Sequence, residues 1–311
     1  MDDMKKILVV GSSNTDLVLK VPEIPRPGET ILGSEFLTTP GGKGANQAVA
    51  AARAGGMVTF IAAVGDDDYG RNALAGYRLD GIDTSRIKVC RNVPSGIALI
   101  NVSSAGENAI AVAPGANHHL EPGDIRAAEE AFREAGILLV QLEIPYETVH
   151  EAVRIAAAHR LLVILNPAPA GNLPGELLRG VDILTPNETE ALQLSGIAAG
   201  SDADAAEACN RLHELGIKKV ILTMGEKGAF ISDPENRIRE KVAGFSVKAV
   251  DTTAAGDVFN GALAVALNGG RGLIDCARFA HAAAALSVGR AGAQASIPSR
   301  GEIDRFLKAN T

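Results

Sequence analysis

The sequence predicts an α/β fold: one domain over residues 1–311, built on a central, mostly parallel sheet flanked by helices, with a small antiparallel β lid. Three observations lead there. Short apolar runs recur along the chain, helix-like stretches separate them, and two segments alternate apolar with polar residues instead. Composition allows a large core, since hydrophobic residues make up 46% and charged residues 22% of the chain, far from a disordered balance.

The first run, residues 7–10, is closed by Gly11, and runs at 58–64, 137–142, 161–165, 181–184 and 220–223 repeat it. Continuous apolar runs of this length read as strands buried on both faces, as in a parallel sheet. Helical stretches lie between them at 43–54, 126–135, 146–159, 187–194 and 203–215, so strands and helices alternate as βαβ units. Beyond 245 the pattern is helical, over 255–267, 273–288 and 302–308. The rhythm breaks at 15–21 with 29–37 and at 95–102 with 109–113, where period-two alternation places the lid on about 15–38 and 95–113. Ser104-Ala105-Gly106-Glu107-Asn108 is its hairpin turn. Within 97–102, Ile97 and Leu99 fall on one face and Ala98, Ile100 and Val102 on the other. Each face therefore needs a cover, which a bound ligand supplies on one side and a second subunit on the other; an ordinary edge hairpin on the main domain is the alternative.

Net charge of −7 excludes the broad basic face that nucleic acid or an anionic membrane requires, so neither is an expected partner. Cys90, Cys209 and Cys276 have no paired spacing, which points to reduced, buried thiols in a cytoplasmic protein. The apolar run at 7–10 is too short for the core of a signal peptide, and the uncharged stretch 258–270 is too short to span a membrane.

Chemistry is concentrated in Asp251-Thr252-Thr253-Ala254-Ala255-Gly256-Asp257-Val258-Phe259-Asn260-Gly261, where small residues open a helix beside a carboxylate. The first N–H groups of a helix have no partner inside it and converge on an anion. The amides of Ala254, Ala255 and Gly256 would form an anion hole, and Asp257 would take the proton of an attacking hydroxyl, as phosphoryl transfer demands. A carboxylate beside helix N–H groups should be a weak base, which suits late proton loss. An ordinary helix start with an acid in its first turn is the competing reading of the same residues. No GxxxxGK[ST] and no GxGxxG occurs in the chain, so neither a P-loop nor a Rossmann dinucleotide site is supported.

Together with Pro40-Gly41-Gly42-Lys43-Gly44-Ala45-Asn46-Gln47, the Asp251 stretch resembles the two signatures of the ribokinase family of sugar kinases. The likeness continues through Gly11-Ser12-Ser13-Asn14-Thr15-Asp16, Gln141-Leu142-Glu143, Asn166-Pro167-Ala168-Pro169-Ala170, Thr185-Pro186-Asn187-Glu188-Thr189-Glu190 and Phe279-Ala280-His281-Ala282-Ala283. It implies a ribokinase-like fold, a homodimer joined through the small sheet, and ATP-dependent phosphorylation of D-ribose at its 5-hydroxyl, with Mg2+ carried on the nucleotide. The resemblance places ribose on Asn14, Asp16, Gly42, Lys43, Asn46, Glu143 and Asp257. It places the nucleotide near Asn187, Thr223, Gly225, Gly228, Gly256 and His281, with Glu190 close to the metal and phosphates. Asn187 with Glu190 also reads as a helix capping box, and 225–228 as a hairpin turn. A monovalent cation, usually K+, is implied on Asp251, Thr253, Ser287, Arg290, Gly292 and Ser296. The same fold and mechanism could act on 2-deoxyribose, a ketohexose or a nucleoside, and a sugar sensor without catalysis is the reading of another class.

Overall fold

Strand β1 (Lys6–Val10) turns Ile7 and Val9 toward one face and Leu8 and Val10 toward the other, all fully buried, so both faces of its sheet must be covered. The computed structural model describes residues 5–171 and 173–310. From β1 the chain forms β2 (Asn14–Val21) and β3 (Glu35–Gly41), returns through α1 (Lys43–Arg53) to β4 (Val58–Gly65), and passes α2 (Asp68–Leu79) to β5 (Ile87–Cys90). β6 (Gly96–Ser103) and β7 (Asn108–Ala113) follow, then α3 (Pro122–Ala127), α4 (Glu129–Glu134), β8 (Ala135–Val140), α5 (Tyr146–Ala158), β9 (Leu162–Leu165), α6 (Gly175–Arg179) and β10 (Ile183–Leu184). Next come α7 (Glu188–Ser195), α8 (Asp202–Glu214), β11 (Lys219–Thr223), β12 (Ala229–Asp233) and β13 (Ile238–Val242). Helices α9 (Ala255–Asn268), α10 (Leu273–Val288), α11 (Ala293–Ser296) and α12 (Arg300–Ala309) close the chain.

The main sheet runs β13-β12-β11-β10-β9-β8-β1-β4-β5, parallel throughout except for the antiparallel pairings of β12. Helices α3 to α8 pack on one face, and α1, α9, α10 and α12 with Tyr77 of α2 on the other. Each wholly buried Leu or Ile of these two cores contributes about 1.5–3 kcal/mol. The three cysteines are free and buried, and no helix among the described residues is long and apolar enough to cross a membrane.

The lid is a second sheet, β3-β2-β6-β7, whose two antiparallel hairpins join along a parallel β2–β6 pair. Its second strand lies later than the alternation over 29–37 predicts. Ser34 N donates to Lys20 O at 2.9 Å, and a Cβ on Gly33 would sit 2.6 Å from Leu19, so the chain turns there and pairing begins only at Glu35. The shift carries the strand through Pro40, tolerable because β3 is an edge strand, and sets Gly41 opposite Asn14. The helix predicted at 126–135 is also divided. Pro122 and a capping box between Glu121 and Asp124 start α3 earlier, Ala128 separates it from α4, and Ala135 already belongs to β8. Of the run 181–184, only Ile183–Leu184 pairs as a strand.

Candidate active site

Strands β1, β8, β9, β10 and β11 end along one edge of the sheet, and the residues at or just past those ends are 12–16, 141–143, 166, 185–187 and 223. Parallel α/β sheets bind ligands at that edge. Here β2 rises from it into the lid, and α9 points its first turn at it.

Ala254 precedes α9 in the left-handed region (φ 61), a conformation that costs an L-residue about 1–2 kcal/mol. The turn it makes opens onto free space, since a Cβ on Gly256 would meet nothing within 4 Å. Of the three amides read as an anion hole, Ala255 N donates to Thr252 O at 3.2 Å, whereas those of Ala254 and Gly256 have no protein acceptor among the described residues. Asp257, one residue on, is buried at 6% exposure. Its Oδ2 accepts from Asn46 Nδ2 and its Oδ1 from Gln47 Nε2, both at 3.0 Å. Helix α1 comes this close because glycines line its contacts: a Cβ on Gly261 would lie 2.6 Å from Gln47 O, and one on Gly44 would lie 2.5 Å from Ser12 N.

Behind the carboxylate runs a buried chain of amides. Gln47 Nε2 also donates to Asn166 Oδ1 at 3.0 Å, and Gln47 Oε1 accepts from Gln141 Nε2 at 2.5 Å. Asn166 continues to Thr185 O, Thr185 Oγ1 to Asn260 Oδ1, and Asn260 Nδ2 to Gly256 O, so the path returns to the turn it left. Gln141 Oε1 has no partner among the described residues; a buried acceptor left unpaired costs about 1–3 kcal/mol.

The residues assigned to sugar converge here. Burial pushes the Asp257 carboxyl up from its ordinary range, against the pull of Lys43, Gln47 and Asn46, so the weak base expected beside helix N–H groups is made stronger by its surroundings. Asp16 is pushed up to about 6, first by burial and then by the charges of Glu143 and Asp257, with Lys43 opposing. Burial would lower Lys43, but Asp257, Glu143, Glu190 and Asp16 hold it above the usual lysine value. Glu143 Oε2 accepts from Ser12 Oγ at 2.6 Å and from Lys43 N at 3.0 Å, pinning the start of α1. Asn14 Oδ1 accepts from Asn117 Nδ2 at 2.7 Å. Gly42 (φ 91) passes between them, where a Cβ would be 2.7 Å from Asn14 N. Ser12, Gln47 and Asn166 lie inside stretches that the sequence singles out, yet they carry contacts it did not assign. Asn117 had no signal at all.

Beside the turn is a cavity of about 490 Å³, a size suited to a nucleotide-like ligand. Asn187, Thr223, Gly225, Gly256 and His281 line it as the sequence suggested, and Phe245, Val247, Phe259 and Val288 add apolar walls that it did not. His281 packs its edge on Phe259 with centroids 4.9 Å apart; burial pushes its pKa down to about 4, so it is neutral at working pH. Glu190 and Gly228 are not in the lining. Glu190 completes the capping box with Asn187, and Gly228 is glycine because a Cβ there would be 2.0 Å from Val242 O. The 225–228 segment connects antiparallel β11 and β12, so the hairpin reading holds alongside the place of Gly225 in the cavity.

The residues implied for a monovalent cation also lie together. Asp251 Oδ1 accepts from Thr253 N and Oδ2 from Gly292 N, each at 2.9 Å; burial raises this carboxyl, but those bonds hold it below its ordinary value. Ser287 and Ser296 turn their hydroxyls to Ala284 O and Ala293 O, and Arg290 reaches Glu302. Gln294 Nε2 donates to Asn46 Oδ1 at 3.2 Å, so this loop touches the partner of Asp257. Among the described residues no group of three or more His, Cys, Asp or Glu could hold a metal ion, and a site here would be built from one carboxylate with hydroxyl and carbonyl oxygens, a hard donor set.

A model of the pfkB family of carbohydrate kinases matches residues 4–300. A ribokinase of Haemophilus influenzae is 44% identical over 305 residues, covering 98% of this chain and 99% of its own. The structure of a Thermotoga maritima ribokinase, 42% identical, superposes with a TM-score of 0.88 over 98% of this chain and 99% of that one. An Arabidopsis thaliana ribokinase solved with ribose and ATP, 33% identical, gives 0.90 over 98% and 99%. With the cavity, the opened helix start and the buried carboxylate in one place, and a family match over nearly its whole length, this chain belongs to the pfkB family of carbohydrate kinases.

Proposed function

We propose that the protein transfers the γ-phosphoryl group of ATP to the 5-hydroxyl of D-ribose, giving ribose 5-phosphate and ADP, as a cytoplasmic homodimer joined through the lid. The observation that carries the reading is Asp257, buried and doubly hydrogen-bonded among the residues assigned to the sugar and next to Gly256, which lines the cavity. Its carboxylate takes the hydroxyl proton as the sugar oxygen bonds to the γ-phosphorus and the bond to the β-phosphate oxygen breaks, an assistance of about 10²- to 10⁴-fold. The amides of Ala254 and Gly256, without a protein acceptor among the described residues, face the charge that develops on the transferred group, each contributing about 3–4 kcal/mol, and the Ala255 amide adds a donor that it shares with Thr252 O. Asn14, Asp16, Gly42, Lys43, Asn46 and Glu143 hold the sugar. A site that pairs with each hydroxyl disfavours an analogue lacking one, which sets ribose above 2-deoxyribose.

Asn187, Thr223, Gly225, Gly228 and His281 neighbour the nucleotide, with Glu190 behind Asn187. Mg2+ carried on the nucleotide would supply charge neutralisation at the phosphates. Asp251, Thr253, Ser287, Arg290, Gly292 and Ser296 would hold K+, whose charge orders the anion-hole turn through the Asp251 link.

The test is ADP release with D-ribose, 2-deoxyribose, a ketohexose and a nucleoside, on the natural chain and on Asp257→Asn. Ribose is expected to have the highest kcat/KM. Asp257→Asn is expected to lose about 10²- to 10⁴-fold in kcat while still binding both ligands. A better acceptor than ribose overturns the substrate, and a natural chain that binds sugar without turnover is a sensor. Equal rates in K+ and in a bulky inert cation remove the cation from the reading.

A further inference from the structure

Asp257 is held at both oxygens from α1, but the two holders stand in different surroundings. Asn46 belongs to the sugar pocket and is 5% exposed, whereas Gln47 and Gln141 are wholly enclosed at 0%, so neither glutamine reaches a substrate.

A primary amide can present oxygen or nitrogen, and here the contacts leave one choice. Gln47 Nε2 faces two acceptors, Asp257 Oδ1 and Asn166 Oδ1, while Gln47 Oε1 faces the donor Gln141 Nε2. A half-turn of the Gln47 amide would set oxygen against both acceptors and nitrogen against the donor. Gln141 is fixed by the same logic. Its nitrogen is on Gln47, and its Oε1 is left unpaired against Gly11, where a Cβ would stand 2.1 Å away. Buried acceptors are seldom left this way, and turning Gln141 over would withdraw the one donor that the described residues offer Gln47 Oε1.

We propose that Gln47 is a positioning residue for the base: by holding Oδ1 of Asp257 it fixes the carboxylate in one rotamer, and Gln141 locks the orientation of the Gln47 amide. The proposal rests on the reading of Asp257 as the base. The charged groups facing Asp257 are Lys43 at the start of α1, Glu143 after β8, Asp16 on β2 and Glu190 on α7. Lys43 favours the carboxylate and the three acids oppose it, so the amide donors help to keep it ionised against burial. Loss of the Gln47 donor leaves the carboxyl more readily protonated.

Three full-length variants, Gln47→Met, Gln141→Met and Asp257→Asn, are compared by kcat and KM from pH 5 to 9 and by urea unfolding. Gln47→Met is expected to lower kcat about 10- to 100-fold with both KM values within about threefold, and to move the acid limb of kcat to higher pH. Gln141→Met is expected to move that limb in the same direction by less. An acid limb that stays in place in both variants while the urea midpoint falls overturns the proposal, since that is simple packing loss. Should Gln47→Met not fold, Gln141→Met decides by the same limb, because it leaves every bond to Asp257 in place. Substantial turnover in Asp257→Asn would instead reject the base itself, a result separable from the others.

Discussion

Asp16, assigned to the sugar, shows what burying a carboxylate for a proposed ligand costs the fold. In the folded chain its carboxyl takes a proton up to about 6, against 3.8 for an ordinary aspartate. Folding therefore binds a proton between those values. The associated stability is fully present below about 3.8 and lost as pH rises through about 6, leaving a charge buried among Glu143 and Asp257 at neutrality. Asp16→Asn is expected to stabilise the ligand-free protein by about 3 kcal/mol at pH 7.5 and by little at pH 4, while raising the KM for ribose at least tenfold. Urea unfolding at both pH values and a ribose titration check this. At the same scale, the acids and amides of the site were legible in the sequence because each stands in a motif whose residue types carry their own chemistry. The amide chain behind Asp257 was not, because Asn166 and Gln141 lie far along the chain from Gln47, which both contact, and only the sheet edge brings them together. Asn117, which holds Asn14, sits in a short helical turn with nothing to mark it.

Between elements, the decisive contact is that of α1 with α9, where Gly261 allows backbone to meet backbone. A Cβ there would stand 2.6 Å from both Ala50 Cβ and Gln47 O, so the helices must separate. Gly261→Ala is expected to cost about 1–3 kcal/mol by overpacking and to lower kcat, because Asn46 and Gln47 ride on the displaced helix. Thermal unfolding and initial rates check it; unchanged kcat with lowered stability would show that the donors tolerate the shift. Elements buried on one continuous apolar stretch were readable from sequence, as for β1, β4 and β8. Those with little buried surface were not. In α2 only Gly70 and Tyr77 are buried, and β13 exposes Arg239, Glu240 and Lys241, so neither presents the periodicity on which such a reading depends. The lid strand β3 was placed too early because an alternating pattern does not show where a turn ends; the Ser34 to Lys20 bond decides that.

Across the whole molecule the α/β/α layering follows from the sequence's alternation of strands and helices, and the lid from its change of period. What alternation could not supply is the parallel β2–β6 pairing, which joins segments far apart in the chain. The lid leaves large apolar side chains in the open on both faces: Phe36 and Leu99 on one, 61% and 54% exposed, and Ile110 and Val112 on the other, 56% and 53%. Leu99→Glu and Ile110→Glu, introduced separately, are expected to divide, one releasing monomers in sedimentation velocity and the other leaving the dimer intact; a dimer that survives both charges removes the lid as its joint. Strand β2 carries Asn14 and Asp16 near its first end and Leu17 and Leu19 further along, so one rigid ribbon serves pocket and surface alike. In the proposed dimer, subunit pairing and sugar affinity would be thermodynamically linked through that strand: each is expected to strengthen the other, and a dilute preparation to demand more sugar for half-saturation than a concentrated one.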